Sequence, residues 1–223
     1  MKNYKDFINN KKVLIVGPAS YLKEYPILDE MIKYDTVIRV NSSIDLATKI
    51  PEIVGNRTDV VFTTCDIDRA SGTNHRKVKS WVDNKVKHVR ISPPAINSSF
   101  SRNIESFKRE NKERIPFSIV SASKYNDQIK LCKDSIPNTG FSAILDCLTF
   151  EPKKIHISGI TFFKGGYMPE YDVATKTEKE VRDFFTRVNS HHNIDKQIQA
   201  FKKIIKENNL ITCDEYILGV MGL

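Results

Sequence analysis

The chain has 223 residues, of which 40% are hydrophobic and 28% charged, with 35 Lys plus Arg against 27 Asp plus Glu. That length fits one large domain, and the balance of apolar and charged residues supports a globular core and excludes wholesale disorder. The formal net charge of +8 suits an acidic partner such as nucleic acid, an anionic glycan or a phosphate-bearing small molecule, but because the basic residues are dispersed rather than clustered, a solvated surface is the plainer account.

The opening MKNYKDFINNKK is polar and does not read as a secretion signal. Lys12 then introduces VLIVG (13–17), a continuous apolar run stopped by glycine, as expected of a strand buried on both faces. Residues 21–33, with Leu22, Tyr25, Leu28 and Ile32 apolar, predict a helix broken or started near Pro26. Further strands are expected in DTVIRVN (35–41), DVVFTTC (59–65) and KHVRISPP (87–94), the last ended by prolines that a central strand does not tolerate. A helix over 98–112 and a strand in PFSIVSA (116–122) follow. In PNTGFSAILDCLTF (137–150), Phe141, Ile144, Leu145 and Leu148 recur at helical spacing, Thr139 or Asn138 can cap the helix, and Pro152 lies beyond its end. KKIHISGI (153–160) is another strand, and 163–177, rich in Gly, Pro and Tyr, reads as a long loop of the kind that is often functional. Within 191–209, Ile194, Ile198, Phe201 and Ile205 mark an amphipathic helix. Strands alternating with helical segments predict a single α/β domain over 1–223 with a mainly parallel sheet flanked by helices.

No apolar run approaches the roughly 18–20 residues of a membrane span. Cys65, Cys132, Cys147 and Cys213 stand far apart without a Cys-x-x-Cys pair, which argues against a disulfide framework or a zinc site and makes Cys147 a small core residue in a reducing interior.

Three places could carry chemistry. Gly140 sits in the first turn of a helix, where glycine costs stability unless backbone approaches something closely, and a helix start with hydroxyl and amide side chains is also an anion site. His191 and His192 stand at the positive end of the last amphipathic helix, whose field keeps an imidazole neutral and able to accept a proton; a polar cap pair is the plainer reading. Asp66 and Asp68, in TTCDIDR, could hold a divalent metal. The turn VGPASYL (16–22) has one glycine only, which disfavours a nicotinamide fingerprint, and no Walker sequence occurs.

Together these segments resemble the sialyltransferase family of inverting, CMP-sugar-dependent glycosyltransferases. VLIVGPASYLKE, DTVIRVN and VGNRTDVVFTT resemble its long donor-binding motif. PNTGFSAILDCLTFEPKKIHISGI resembles the short one, and HNIDKQ (192–197) the motif whose histidine is the general base. The resemblance runs from about Val13 to Asn209 and implies a variant GT-A-like, Rossmann-like fold. It also implies donor contacts from Gly17, Ala19, Ser20, Arg39, Asn41, Asn138, Thr139, Gly140, Gly159 and Tyr167, with small residues at 139–140 making room for CMP. Pro18 replaces the usual Asn, Gln197 replaces the usual Glu, and FFKGGYMPEY (162–171) lacks the usual His, where Tyr167 and Lys164 are the substitutes at hand. The family's disulfide, whose first cysteine would fall near Val13, is not expected here, nor are a membrane anchor and stem, and the expectation is a compact cytoplasmic relative of microbial or viral type.

The implied reaction moves a 2-keto sugar acid, sialic acid first, from CMP to a glycan hydroxyl with His192 as base, without metal or other cofactor. The expected partners are the CMP-sugar and a glycan, not nucleic acid, with peripheral membrane association through the basic surface left open. A CMP-Kdo donor, a metal-dependent transferase using Asp66 and Asp68, and a non-enzymatic nucleotide or nucleic-acid binder are the alternatives.

Overall fold

Runs of β-branched residues set the architecture, because such side chains pack well on a pleated surface covered from both sides. The computed structural model describes residues 2–65, 78–95, 97–171, 177–187 and 192–223. Its strands are β1 (Lys12–Val16), β2 (Thr36–Val40), β3 (Val60–Thr63), β4 (His88–Ile91), β5 (Phe117–Ile119), β6 (Lys154–Ser158) and β7 (Ile211–Cys213). Among the described residues they form one seven-stranded sheet in the order β5-β4-β3-β2-β1-β6-β7, and every ladder between them is parallel. The chain builds outward from β1 to β5, then returns to the other side of β1 with β6 and β7. The C-terminal ends of β1 and β6 therefore flank the switch point at which open α/β sheets bind ligands.

Helix α1 (Tyr4–Ile8) precedes β1, α2 (Leu28–Met31) leads to β2, and α3 (Ser43–Lys49) and α4 (Pro51–Val54) lead to β3. α5 (Val78–Asp83) precedes β4, α6 (Ser98–Glu110) precedes β5, and α7 (Ala122–Leu131) and α8 (Thr139–Leu148) return the chain to β6. α9 (Glu178–Arg187) and α10 (Ile194–Glu207) lead to β7, and α11 (Glu215–Met221) follows it. None of the described helices is long and apolar enough to cross a membrane.

Strand alternation sorts the core into two layers. Val61, Val89 and Ile91 face a cluster with Trp81 and Phe107, from α5 and α6. Val60 and Phe62 belong to the larger cluster with Phe141, Ile144 and Phe201, from α8 and α10. Cys147 is fully buried in that cluster, its sulfur 3.3 Å from the Tyr4 hydroxyl.

The segment 21–33 is broken near Pro26, as expected, but the helical pieces on either side are short. A short 3-10 turn over Ser20–Lys23 is followed, past Pro26, only by the four-residue α2. Leu22 is buried, but Tyr25, Leu28 and Ile32 are exposed, Ile32 to 87%. Proline offers no N–H to an i−4 carbonyl, so the apolar spacing has no continuous helix to act through.

Candidate functional site

Gly17 directly follows β1 and Gly159 directly follows β6, and neither could be another residue. A Cβ on Gly17 would lie 2.2 Å from the Gly159 carbonyl oxygen, and one on Gly159 would lie 2.4 Å from that of Gly17. Gly159 also has φ +71°, in the left-handed region. The close approach is held by Gly17 N–H donating to the Ser158 carbonyl (2.8 Å) and Ala19 N–H to that of Gly159 (3.1 Å). Beyond it, Ala19 bridges to Tyr167 in an isolated antiparallel pair, and the Ser20 hydroxyl donates to the Gly165 carbonyl at 2.7 Å. The loop carrying Tyr167 is thus docked on the turn after β1. Burial, and secondarily Tyr171, raises the Tyr167 phenol well above its ordinary value, so it stays protonated.

At the start of α8, Asn138 is the cap. Its extended backbone lets Oδ1 accept the Phe141 N–H at 2.9 Å, while its carbonyl accepts that of Ser142 at 2.9 Å. Neither bond occupies the amides of Thr139 and Gly140, the first-turn donors that a helix start aims at its surroundings. Ile160 joins this turn to the glycine pair. A Cβ on Gly17 would meet Ile160 Cγ1 at 2.7 Å, and one on Gly140 would meet Ile160 Cγ2 at 3.2 Å. One isoleucine side chain fills the gap between the two glycine positions, which brings segments more than 120 residues apart in sequence together and gives Gly140 a packing reason to be small.

His192 lies just before Asn193, the cap of α10, and is half-buried. Its Nδ1 is 2.7 Å from the Ile136 carbonyl oxygen. A carbonyl only accepts, so Nδ1 carries the hydrogen, and in the neutral ring Nε2 holds the lone pair. Gln197, one turn into α10 and fully buried, accepts the Asn138 N–H at 2.8 Å and donates to the same Ile136 carbonyl at 3.1 Å. His192 and the Asn138–Gly140 turn therefore hang on one backbone segment.

Asn41 directly follows β2 on the same sheet edge, with φ +52°, a conformation asparagine tolerates. Its amide donates to the Phe62 carbonyl at 2.9 Å, and its Oδ1 accepts the Thr64 N–H at 3.4 Å. Thr64 and Ser43, whose hydroxyl reaches the Val16 carbonyl at 3.2 Å, are edge residues that no local motif announces.

One expected donor contact, Arg39, is committed to the protein's own backbone. Arg39 is fully buried, and its guanidinium donates to the carbonyls of Val54 (2.6 Å), Gly55 (2.8 Å) and Arg57 (3.2 Å) and to Thr58 Oγ1 (3.0 Å). It ties β2 to the chain entering β3, and burial lowers its pKa to about 9. Lys164, a substitute for the missing His, donates to the Val220 carbonyl of α11 at 2.7 Å. Asp66, Asp68 and His191 lie outside the described residues, among which no group of His, Cys, Asp or Glu is arranged to hold a metal ion.

Beside the switch point, Asp214 collects hydrogen bonds from the Tyr21 hydroxyl, from Ser158 Oγ (2.6 Å) and from His156 Nε2 (2.9 Å). The Gly159 N–H in turn donates to the Tyr21 oxygen at 2.7 Å, so this carboxylate locks the turn after β1 to the ends of β6 and β7. Burial alone would raise its pKa, but the bonds from His156, Ser158 and Tyr21 outweigh that and hold it below the ordinary carboxylate value. A depressed folded pKa stabilises above the unfolded value, about 3.9, and that stabilisation is lost as pH falls through the folded one. Asp214→Asn should consequently be less stable than the parent by roughly 1–3 kcal/mol at pH 7. Urea denaturation at pH 7 and pH 3 should show the gap closing in acid; a gap equal at both would contradict the charge's role.

No protein-family model and no curated protein matches the sequence. Solved structures do match. A mammalian sialyltransferase in complex with Gal-beta-1-3GalNAc-ortho-nitrophenol superposes with a TM-score of 0.58 at 13% identity, over 94% of this chain and 71% of that one. This chain has the sialyltransferase fold. The sialyltransferase CstII from Campylobacter jejuni in complex with cytidine-5'-monophosphate matches with a TM-score of 0.55 at 15% identity, over 96% of this chain and 84% of that one. The monofunctional alpha-2,3-sialyltransferase Cst-I from the same organism matches with 0.58 at 14% identity, over 92% and 77%.

Proposed function

We propose that this chain transfers a 2-keto sugar acid, sialic acid as first choice, from CMP to a hydroxyl of a glycan, with inversion. The observation that carries the reading is the His192 ring, whose Nδ1–H is committed to the Ile136 carbonyl two residues before the Asn138 cap. That bond leaves Nε2 as the basic nitrogen, beside the helix start that is suited to an anion. The shared fold with sialyltransferases, one of them in complex with CMP, supports the same reading. In this scheme the bond from the anomeric carbon to the CMP phosphate oxygen breaks as the acceptor oxygen bonds to the opposite face of that carbon. The acceptor's proton passes to His192 Nε2, and the departing phosphate is met by the amides of Thr139 and Gly140.

Thermal denaturation with CMP, CDP, UDP and NAD tests the donor class. A ligand at one hundred times its Kd stabilises by about 2.7 kcal/mol, roughly 5–10 °C in a domain of this size. CMP should give that rise and UDP and NAD should not; a rise with NAD or UDP alone would overturn the reading. Transfer assays with CMP-sialic acid and CMP-Kdo then separate the two sugars, and loss of activity on chelation would favour the metal-dependent alternative through Asp66 and Asp68.

A further inference from the structure

We propose that Gln197 is a positioning residue, whose side-chain amide holds the His192 ring and the start of α8 as one unit through the Ile136 carbonyl and the Asn138 N–H. The inference rests on the reading of His192 as the base, and it concerns what sets that base at a fixed distance from the helix start.

The two ends of the amide do different work. Oε1 accepts from Asn138, the residue that caps α8, and Nε2 donates to the carbonyl that also receives His192 Nδ1–H. A second tie, from the Asn193 N–H to Ser135 Oγ at 2.7 Å, joins the same two stretches of chain but touches neither the cap nor the ring's acceptor. Gln197 has no exposed surface, so each unmade bond at this place would leave a buried polar group unsatisfied. A carboxylate of the same shape would still accept from Asn138. It would, however, set oxygen against the Ile136 oxygen at about the 3.1 Å now spanned by an N–H···O bond. Two acceptors at that distance repel, and the carbonyl would swing away from Gln197 and carry the ring's anchor with it. The glutamine where the sialyltransferase motif has glutamate is accordingly a requirement of this site's hydrogen-bond polarity.

Displacing a reacting group by about 1 Å costs on the order of 100-fold in rate, so Gln197→Met and Gln197→Glu should each lower kcat by about 10- to 100-fold. Gln197→Glu, which keeps the Asn138 bond, should not add to His192→Ala: kcat of that double variant should equal that of His192→Ala alone, whereas a merely structural role would multiply the two losses. Nitrogen-15 spectra of the imidazole in the intact chain read the geometry without substrate. The parent should show a single neutral form with hydrogen on Nδ1, and both variants a mixture of the two neutral forms. A parent ring protonated on Nε2, or variants with the parent's spectrum and kcat, would overturn the proposal. Should Gln197→Met fail to fold, the isosteric Gln197→Glu and the parent spectrum still decide the matter. A chain that transfers no sugar, yet whose His192 spectrum shifts in the variants, would retain the coupling and lose only the proposed reaction.

Discussion

Replacing His192 with alanine should lower turnover by about 100- to 10,000-fold, the usual worth of a well-placed base, while leaving CMP affinity within a few-fold of the parent. The reasoning begins with the anchor. The Nδ1–H to Ile136 bond, 2.7 Å long, fixes both the tautomer and the direction of Nε2. Alanine removes the proton acceptor but leaves the cap, because Asn138 Oδ1 still holds the Phe141 N–H and Gln197 still holds the Asn138 N–H. The first-turn amides of Thr139 and Gly140 therefore stay where they are. Initial rates of CMP release, measured with isothermal titration of CMP on the same preparation, check both halves of the expectation. Undiminished turnover in the variant would remove His192 from the reaction, and a parallel collapse of CMP binding would assign the residue to the donor pocket instead.

The sheet is legible in the sequence because VLIV, TVIRV and VVFT are each short apolar runs between polar boundaries, and a strand covered on both faces leaves that signature. The helix at 139–148 is equally legible, since Asn138 supplies a cap and Phe141, Ile144, Leu145 and Leu148 supply a face. Periodicity fails where elements are short: β7 has three residues, too few to show alternation. It misleads at Leu22, Tyr25, Leu28 and Ile32, whose helical spacing survives although Pro26 interrupts the helix. Arg39 misleads for another reason. An arginine two residues before Asn41 has the look of a ligand contact, yet its Nε and Nη2 partners are carbonyls at 54–57 and the Thr58 hydroxyl, and nothing local announces them. Gln197 is the same problem reversed: it reads as a departure from a motif until Ile136 and Asn138, some sixty residues earlier, are folded against it. Motif residues are thus readable where their chemistry is local, and unreadable where a distant backbone group completes it.

Asp146→Ala should destabilise the fold by about 3–5 kcal/mol, the cost of stranding a buried charge, and lower Tm by roughly 10 °C in a domain of this size. Asp146 is wholly buried in α8, and Arg90 on β4 meets it with two parallel bonds, Nε to Oδ2 at 2.8 Å and Nη2 to Oδ1 at 2.9 Å. Burial lowers the Arg90 pKa, but the bond and charge of Asp146 more than offset it and leave the guanidinium above its ordinary value. It also lies over the Tyr4 ring at 4.6 Å and donates to Ser118 Oγ (3.1 Å) and the Ile119 carbonyl (3.0 Å). Without the carboxylate those neutral partners must hold a full positive charge away from water. His88, which burial and the Arg90 charge hold neutral with a pKa lowered to about 4, brings no compensating negative charge. Removing both charges tests the cause: Arg90→Met with Asp146→Leu should recover most of the loss, because a packed apolar pair of similar volume is often as stable as a buried ion pair. Urea denaturation of the single and double variants separates the possibilities, and a double variant no better than Asp146→Ala would mean that shape, not charge, is what Asp146 supplies. The same helix begins at Thr139 and Gly140, so the ion pair also fixes α8 against β4 and with it the height of those amides above the sheet edge. A recovered double variant should regain CMP affinity along with stability.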